Sequence, residues 1–326
     1  MFSFIVPFFL VGIVSSYDLT DRFNSWSIRH NVSFYNDEHY MNTFNNWYEN
    51  DNYIQSYNAE NSGSMLAHNQ FSGMSSDEFR GFLGNYKKKR NGYVVLVGDV
   101  DTSVNWVESG GVTPVKDQGQ CGSCWSFSTT GALEGAYFVK YGSLVSFSEQ
   151  QLVDCDKFRN GGSDNGCDGG LMDNAFSWIG KNGGLCTEED YPYFSGTTKK
   201  RGDCSNSCTN VKGSAVSKFI DVPPSSDKQM MLALMNHPVA VAIQADEKAF
   251  QLYSSGVLKG SCGTGLDHGV LAVGYGTDTD GDYYIIKNSW GKTWGENGYI
   301  RLGRGDEYNN GDGQCGVLLQ ASYPVL

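Results

Sequence analysis

The chain carries nine cysteines, all of them between Cys121 and Cys315. That partition separates an N-terminal segment that folds without covalent staples from a region that disulfides can brace. Cysteines at this density fit an oxidising compartment. The odd number leaves at least one outside intramolecular pairs. At 326 residues the chain is long enough for one large domain or two ordinary ones with a real core. Its net charge of −12 argues against nucleic acid as a partner, which asks for a basic surface, and suits an acidic compartment.

The apolar run from Met1 to Val14, followed by Ser15 and Ser16, is too short for a spanning helix and reads as a signal peptide over residues 1–16. No other run is long enough to cross a bilayer. Asn31-Val32-Ser33 is a glycosylation acceptor at Asn31, consistent with secretion. Residues 17–99 are rich in Asn, Tyr and Ser. Within them Trp47, Ile54 and Tyr57 recur at spacings that line one helix face. Ser75 followed by Glu78 forms a helix-start signature. The basic run Lys87 to Arg90 reads as an exposed linker near a processing site. A shift in composition between Tyr93 and Trp106 marks the domain boundary.

The stretch Gln118 to Phe127, QGQCGSCWSF, passes from a Gly- and Ser-rich turn into a helix-like apolar pattern. A thiol at a helix mouth meets unpaired N–H groups and the positive end of the dipole, which favour the thiolate nucleophile. Cys121 and Cys124 also fit a redox pair or half of a zinc site, the latter completed by Cys204 and Cys208. A cysteine nucleophile needs a base, and the base an orienting group. Past the boundary only His237 and His268 are available. His237 is wedged before Pro238 at a helix end and reads as structural. His268 opens an apolar strand. Asn288, in Lys287-Asn288-Ser289-Trp290-Gly291, can accept from one imidazole nitrogen and fix the ring, with Trp290 shielding that bond. Gln118 can donate to an oxyanion. A redox pair would leave Gln118, His268 and Asn288 without a role, and an oxidising compartment disfavours zinc. Asp278 to Asp282 resembles part of a calcium loop but lacks Gly at its sixth position and Glu at its twelfth, which is Ser289, and reads as a hairpin turn. Predicted helices (148–155, 171–179) crowd the first part of the bridged region. Predicted strands (216–222, 239–243, 270–275, 283–287, 299–302) fill the second, around one helix over 227–236. The pattern is α+β, with two subdomains and a cleft between them.

These residues resemble the papain family of cysteine peptidases, its cathepsin L-like branch in particular. Cys121-Gly122-Ser123-Cys124-Trp125 matches the family signature C-G-[SA]-C-[WY]; His268 falls within the usual downstream distance of about 130–150 residues and Asn288 somewhat beyond it. Gly111 to Gln118 and Trp294-Gly295-Glu296-Asn297-Gly298-Tyr299 add to the match. The resemblance implies a papain-like fold: a helical left subdomain, a β-barrel-like right subdomain and an N-terminal helical propeptide. It makes residues 17–99 an inhibitory propeptide and 100–326 the peptidase domain. It implies an endopeptidase with Cys124 as nucleophile, His268 as base and acid, Asn288 as orienter and Gln118 as oxyanion donor. The Cys124–His268 pair would be thiolate and imidazolium, with a thiol pKa of about 3–4. Substrate would touch Gly169, Gly170, Leu171, Met172, Ala242, Leu266, Asp267, Gly269, Trp290 and Gln320. Most of the second pocket is apolar, so Leu, Val or Phe should be preferred there, with Gln320 at its floor. Cys121–Cys167 and Cys262–Cys315 resemble family bridges. Cys155 would pair with Cys204 or Cys208, and Cys186 with the other, which leaves Cys124 free. The propeptide keeps its family motifs only in part. His39 and Thr43 replace an acidic and a basic residue, and Gly73 replaces an Asp. No cofactor or metal is called for. The expected partners are protein and peptide substrates and the chain's own propeptide. The product is expected as a monomer in the secretory pathway, in a lysosome-like compartment or outside the cell.

Overall fold

Small residues set how closely the central helix can approach the sheet, and this contact organises the disulfide-braced region. A computed structural model describes residues 16–60, 63–84, 86, 92–260 and 262–326. Residues 1–15, which hold nearly all of the run read as a signal peptide, and the run Lys87–Arg90 lie outside the described residues. The helices that matter here are α1 (Ser16–Arg29), α2 (Asp37–Glu60), α3 (Ser76–Arg80), α4 (Cys124–Tyr141), α5 (Glu149–Cys155) and α6 (Met172–Asn182). The strands are β1 (Ser64–Leu66), β2 (Val104–Asn105), β3 (Lys218–Asp221), β4 (Val239–Ile243), β5 (Tyr253–Leu258), β6 (His268–Asp278), β7 (Gly281–Lys287), β8 (Tyr299–Gly303) and β9 (Ala321–Val325).

Helix α4 is buried from Cys124 through Ala136 and lies against β4, β6 and β9. A Cβ at Gly131 would stand 2.8 Å from the Leu271 side chain, and one at Gly135 2.5 Å from Pro238. The helix ends at Gly142, whose φ of 69° is the left-handed conformation that glycine supplies. Ser148 caps α5 by accepting the Gln151 N–H. The strand order is β1-β5-β8-β7-β6-β4-β9-β3, with β2 also on β6; β5 and β8 are parallel and the remaining pairs antiparallel. The path is open. The barrel-like half is therefore a sheet whose end strands β1 and β3 do not pair with each other. One core lies on the sheet; a second joins α4, α5 and α6 to the other face of β4 and β6.

The disulfides are Cys121–Cys167, Cys155–Cys204, Cys186–Cys208 and Cys262–Cys315, with Cys124 free and buried.

The N-terminal segment is part of the same fold. Its β1 pairs with β5, adding a strand to the sheet edge. Ile54, Tyr57, Leu66, Phe71, Phe79 and Phe82 enter the sheet-side core. Phe23, Trp26 and Trp47 form a small core of their own. In α2 the buried positions are Thr43, Trp47, Asn50, Asp51, Ile54 and Tyr57, the single face that the spacing predicts. Ser75 and Glu78 complete a capping box on α3. A different ion pair stands in place of the family's. Arg22 of α1 pairs with buried Asp51 of α2, and His68 Nε2 meets the same carboxylate oxygen at 3.0 Å. His68 also stacks on Trp47 at 4.4 Å. At Gly73 a Cβ would come within 2.6 Å of Trp26 and Thr43, so an aspartate could not be held there in this packing.

Asp51→Ala removes the shared acceptor of Arg22 and His68. A loss of about 2 kcal/mol in propeptide stability is expected. It should appear as activation at a less acidic pH and a lower unfolding temperature. Activation at the wild-type pH would show that this cluster does not secure the propeptide.

Candidate active site

Cys124 is the first residue of α4, and its sulfur faces the start of β6. The backbone N–H groups of Trp125 and Gly269 donate to Sγ. The two come from opposite subdomains, so the sulfur sits at the seam. His268, fully buried, precedes Gly269. Its Nε2 lies 2.8 Å from Asn288 Oδ1. Because an amide oxygen only accepts, Nε2 carries the proton and Nδ1 keeps its lone pair. Nδ1 is buried and has no hydrogen-bond partner among the described residues. Asn288 Oδ1 is held in turn by the Ser289 N–H at 2.8 Å. The Trp290 indole stacks on the imidazole at 4.6 Å and closes the histidine–asparagine bond off from water.

Gln118 is buried, with Oε1 fixed by the Ser289 hydroxyl at 2.7 Å. Its Nε2 donates at 3.0 Å to the Cys121 carbonyl and also at 3.0 Å to the Phe82 carbonyl of the N-terminal segment. Tyr193 sets the turn, donating to the Gln118 carbonyl at 2.8 Å and meeting the Ser123 hydroxyl at 2.7 Å.

The substrate-binding candidates fall into two groups. Gly169, Gly170 and Leu171 lead from the Cys167 turn to α6, with Gly169 at a φ of 105° and Leu171 extended. Met172, Ala242 and Leu266 join the core that holds Trp125. Ala242 N–H bonds the Gln320 carbonyl at 2.9 Å, while both side-chain polar atoms of Gln320 are buried without a partner. His237, by contrast, packs on Tyr323, the tilted rings 4.1 Å apart.

The N-terminal segment runs through this cleft at Gly84 and Tyr86. Gly84 N–H bonds the Asp267 carbonyl at 2.5 Å, and Tyr86 N–H bonds the Leu266 carbonyl at 3.4 Å. The Tyr86 hydroxyl reaches Cys124 Sγ at 3.4 Å. Burial pushes the Cys124 thiol up, against the hydrogen bonds from Tyr86, Gly269 and Trp125. Burial also lowers His268 to about 4, opposed by its bond to Asn288. The covered pair is therefore neutral thiol and neutral imidazole. The ion pair expected from the sequence needs water or a substrate in place of the propeptide, because a desolvated charge pair is costly. Tyr86, Phe82, Tyr193 and Ser289 have no local sequence signal for these roles; each acts across a long stretch of chain.

A family model described as "Papain family cysteine protease" matches residues 100–325, and one described as "Cathepsin propeptide inhibitor domain (I29)" matches residues 23–79. The senescence-specific cysteine protease SAG39 of Oryza sativa subsp. indica is 42% identical over 93% of this chain and 89% of that protein. The probable cysteine protease RD21B of Arabidopsis thaliana is 46% identical over 84% of this chain, which spans only 58% of that longer protein. The proform of the ragweed pollen allergen Amb a 11, a cysteine protease, superposes with a TM-score of 0.85 at 35% identity, covering 98% of both chains. The chain belongs to the papain family of cysteine proteases. It is a cysteine endopeptidase with its inhibitory propeptide in place, a zymogen.

In the intact zymogen, alkylation of Cys124 near pH 5 should be at least about tenfold slower than after activation, and should climb through the alkaline range as the raised thiol ionises. After activation it should persist into acid. Equal rates in the two forms would show that the propeptide does not control the thiol.

Proposed function

We propose that the activated chain cuts polypeptides internally by acyl transfer through Cys124, with His268, Asn288 and Gln118 in the roles that the family resemblance implies. The observation that carries this is the buried His268–Asn288 bond, which leaves Nδ1 with a free lone pair beside Gly269, whose N–H touches the sulfur. Once the propeptide has gone, Nδ1 holds the thiol proton, and the Cys124 thiolate of this ion pair attacks the peptide carbonyl. The Gln118 amide and the Cys124 N–H receive the oxyanion. The imidazolium returns its proton to the leaving amine, and a thioester remains. Water, deprotonated by the same nitrogen, hydrolyses the thioester and restores the thiol.

The boundaries that suit this reading are a signal peptide over 1–16, a propeptide over 17–99 and a peptidase over 100–326. The four disulfides and exposed Asn31 fit passage through the secretory pathway to a lysosome-like compartment or the exterior. Among the described residues no helix is long and apolar enough to cross a membrane. Protein and peptide substrates would place an apolar side chain against Met172, Ala242 and Leu266. The unpartnered Gln320 amide would tolerate a polar group but offers a basic one no carboxylate.

Cys124→Ala should abolish peptidase activity and labelling by a thiol-directed epoxide. Gln118→Ala should lower kcat about a hundredfold with a smaller effect on KM. Residual activity in Cys124→Ala would overturn the mechanism. A peptide panel should favour Leu or Phe over Arg at the position before the cleaved residue; Arg in first place would overturn the pocket assignment.

A further inference from the structure

Two buried carboxyl groups stand behind the segment assigned to substrate, and no step described so far uses them. Asp156 follows α5 and is fully buried; Asp164, on the loop that leads to the Cys167 turn, is 3% exposed. One oxygen of each is well satisfied. Asp156 Oδ1 accepts the Ser163 N–H at 3.0 Å, and Asp164 Oδ1 accepts the Leu171 N–H at 3.0 Å and Asn174 Nδ2 at 2.9 Å. The other oxygen of each, Oδ2, is buried and receives no N–H or hydroxyl from the described residues. The two side chains lie within hydrogen-bonding reach of one another. Among the described residues neither forms an ion pair.

Two ionised carboxylates in contact and away from water repel strongly, and one shared proton removes the conflict. We infer that Asp156 and Asp164 share a proton and are positioning residues for the Gly169–Leu171 segment, so that losing this proton loosens the segment and weakens substrate binding. This rests on the assignment of that segment to substrate. Its backbone has little room to move otherwise. A Cβ on Gly170 would stand 2.5 Å from the Trp125 indole and 2.9 Å from the Asp164 carboxyl carbon, so the chain is held between the two. Trp125 adjoins Cys124 and is itself tied to the Gly166 carbonyl at 3.0 Å.

Burial and the Asp156 charge hold the proton on Asp164 well above the ordinary carboxylate range, and Asp156 is raised by burial as well. The charged and titratable groups around the pair do not neutralise it. Lys181 of α6 acts on Asp156 from a distance while its Nζ bonds the Gly161 carbonyl. Arg201 packs on Gly166. Asp154 of α5 is occupied by Gln150, Tyr191 and Gly202. Tyr86 belongs to the propeptide and leaves with it. Folded-state affinity for the proton exceeds that of an unfolded carboxyl, so the pair contributes most in acid and loses its contribution as pH rises through the folded-state pKa.

The test uses the full chain activated in acid and a peptide with Leu before the cleaved residue. KM is measured at about pH 5.5 and about pH 8.5, and the ratio is taken within each protein. Wild type should show a rise of about fivefold, the loss of roughly one positioning hydrogen bond. In Asp164→Asn the amide keeps the acceptor for Leu171 and offers Asp156 a permanent N–H donor, so the ratio should fall below about twofold. Asp156→Asn does the same from the other side and covers a folding failure of the first variant. A flat wild-type profile, or equal ratios in wild type and variants, overturns the proton link. Asp164→Ala should raise KM at both pH values. If it leaves KM unchanged while Cys124 still labels, the segment does not contact substrate, and that assignment fails together with the inference.

Discussion

The site exists because helix α4 approaches strand β6 and the start of β4 more closely than ordinary side chains would allow. Gly131 admits Leu271, Gly135 admits Pro238, and the Ser128 hydroxyl donates to the Val270 carbonyl at 2.7 Å. That contact sets the first residue of the helix against the first residues of the strand. The sulfur thus meets Gly269 N–H, and His268 lies at the same seam. Neither subdomain alone contains both the thiol and the imidazole. A larger side chain at Gly131 or Gly135 would be felt at the reacting atoms although it touches none of them.

Burial does a second service in the zymogen. The propeptide blocks the cleft with its backbone, and it also removes water from the two groups whose charges the chemistry needs. With Tyr86 over the sulfur and the Phe82 carbonyl on Gln118, the thiol is raised and the imidazole lowered, so latency is electrostatic as well as steric. The same aromatic box serves both states. Phe71 and Phe79 of the propeptide pack on Trp290 at 5.1 and 5.4 Å, and Trp290 covers the His268–Asn288 bond. The propeptide is therefore anchored on the side chain that covers the His268–Asn288 bond.

Local signals were legible where a residue acts on near neighbours. The caps at Ser75 and Ser148, the apolar face of α2 and the β-branched strands β4 and β6 follow from spacing and composition. The elements that spacing did not reveal have weak patterns of their own. Helix α1 is largely polar; β1 has three residues; β5 is half polar with a glycine inside; β9 contains a proline. Each forms because a partner covers it. β1 needs the β5 edge, and β9 lies between β4 and β3, with Pro324 placed where a missing N–H is tolerated.

By itself the sequence determined the chemical types: a thiol at a helix start, a histidine at a strand start, an asparagine before a tryptophan, and a cysteine count that closes with one residue free. Those are properties of short stretches, and their chemistry does not depend on distant chain. Only the tertiary structure decided how Cys155, Cys186, Cys204 and Cys208 pair, since proximity is not written in spacing. It alone supplied the Arg22–Asp51–His68 cluster where the familiar charges are missing, the Tyr86 hydroxyl at the sulfur and the facing carboxyls of Asp156 and Asp164. The charge state of the site belongs to that second group as well, because desolvation is a property of what covers a residue and not of the residue.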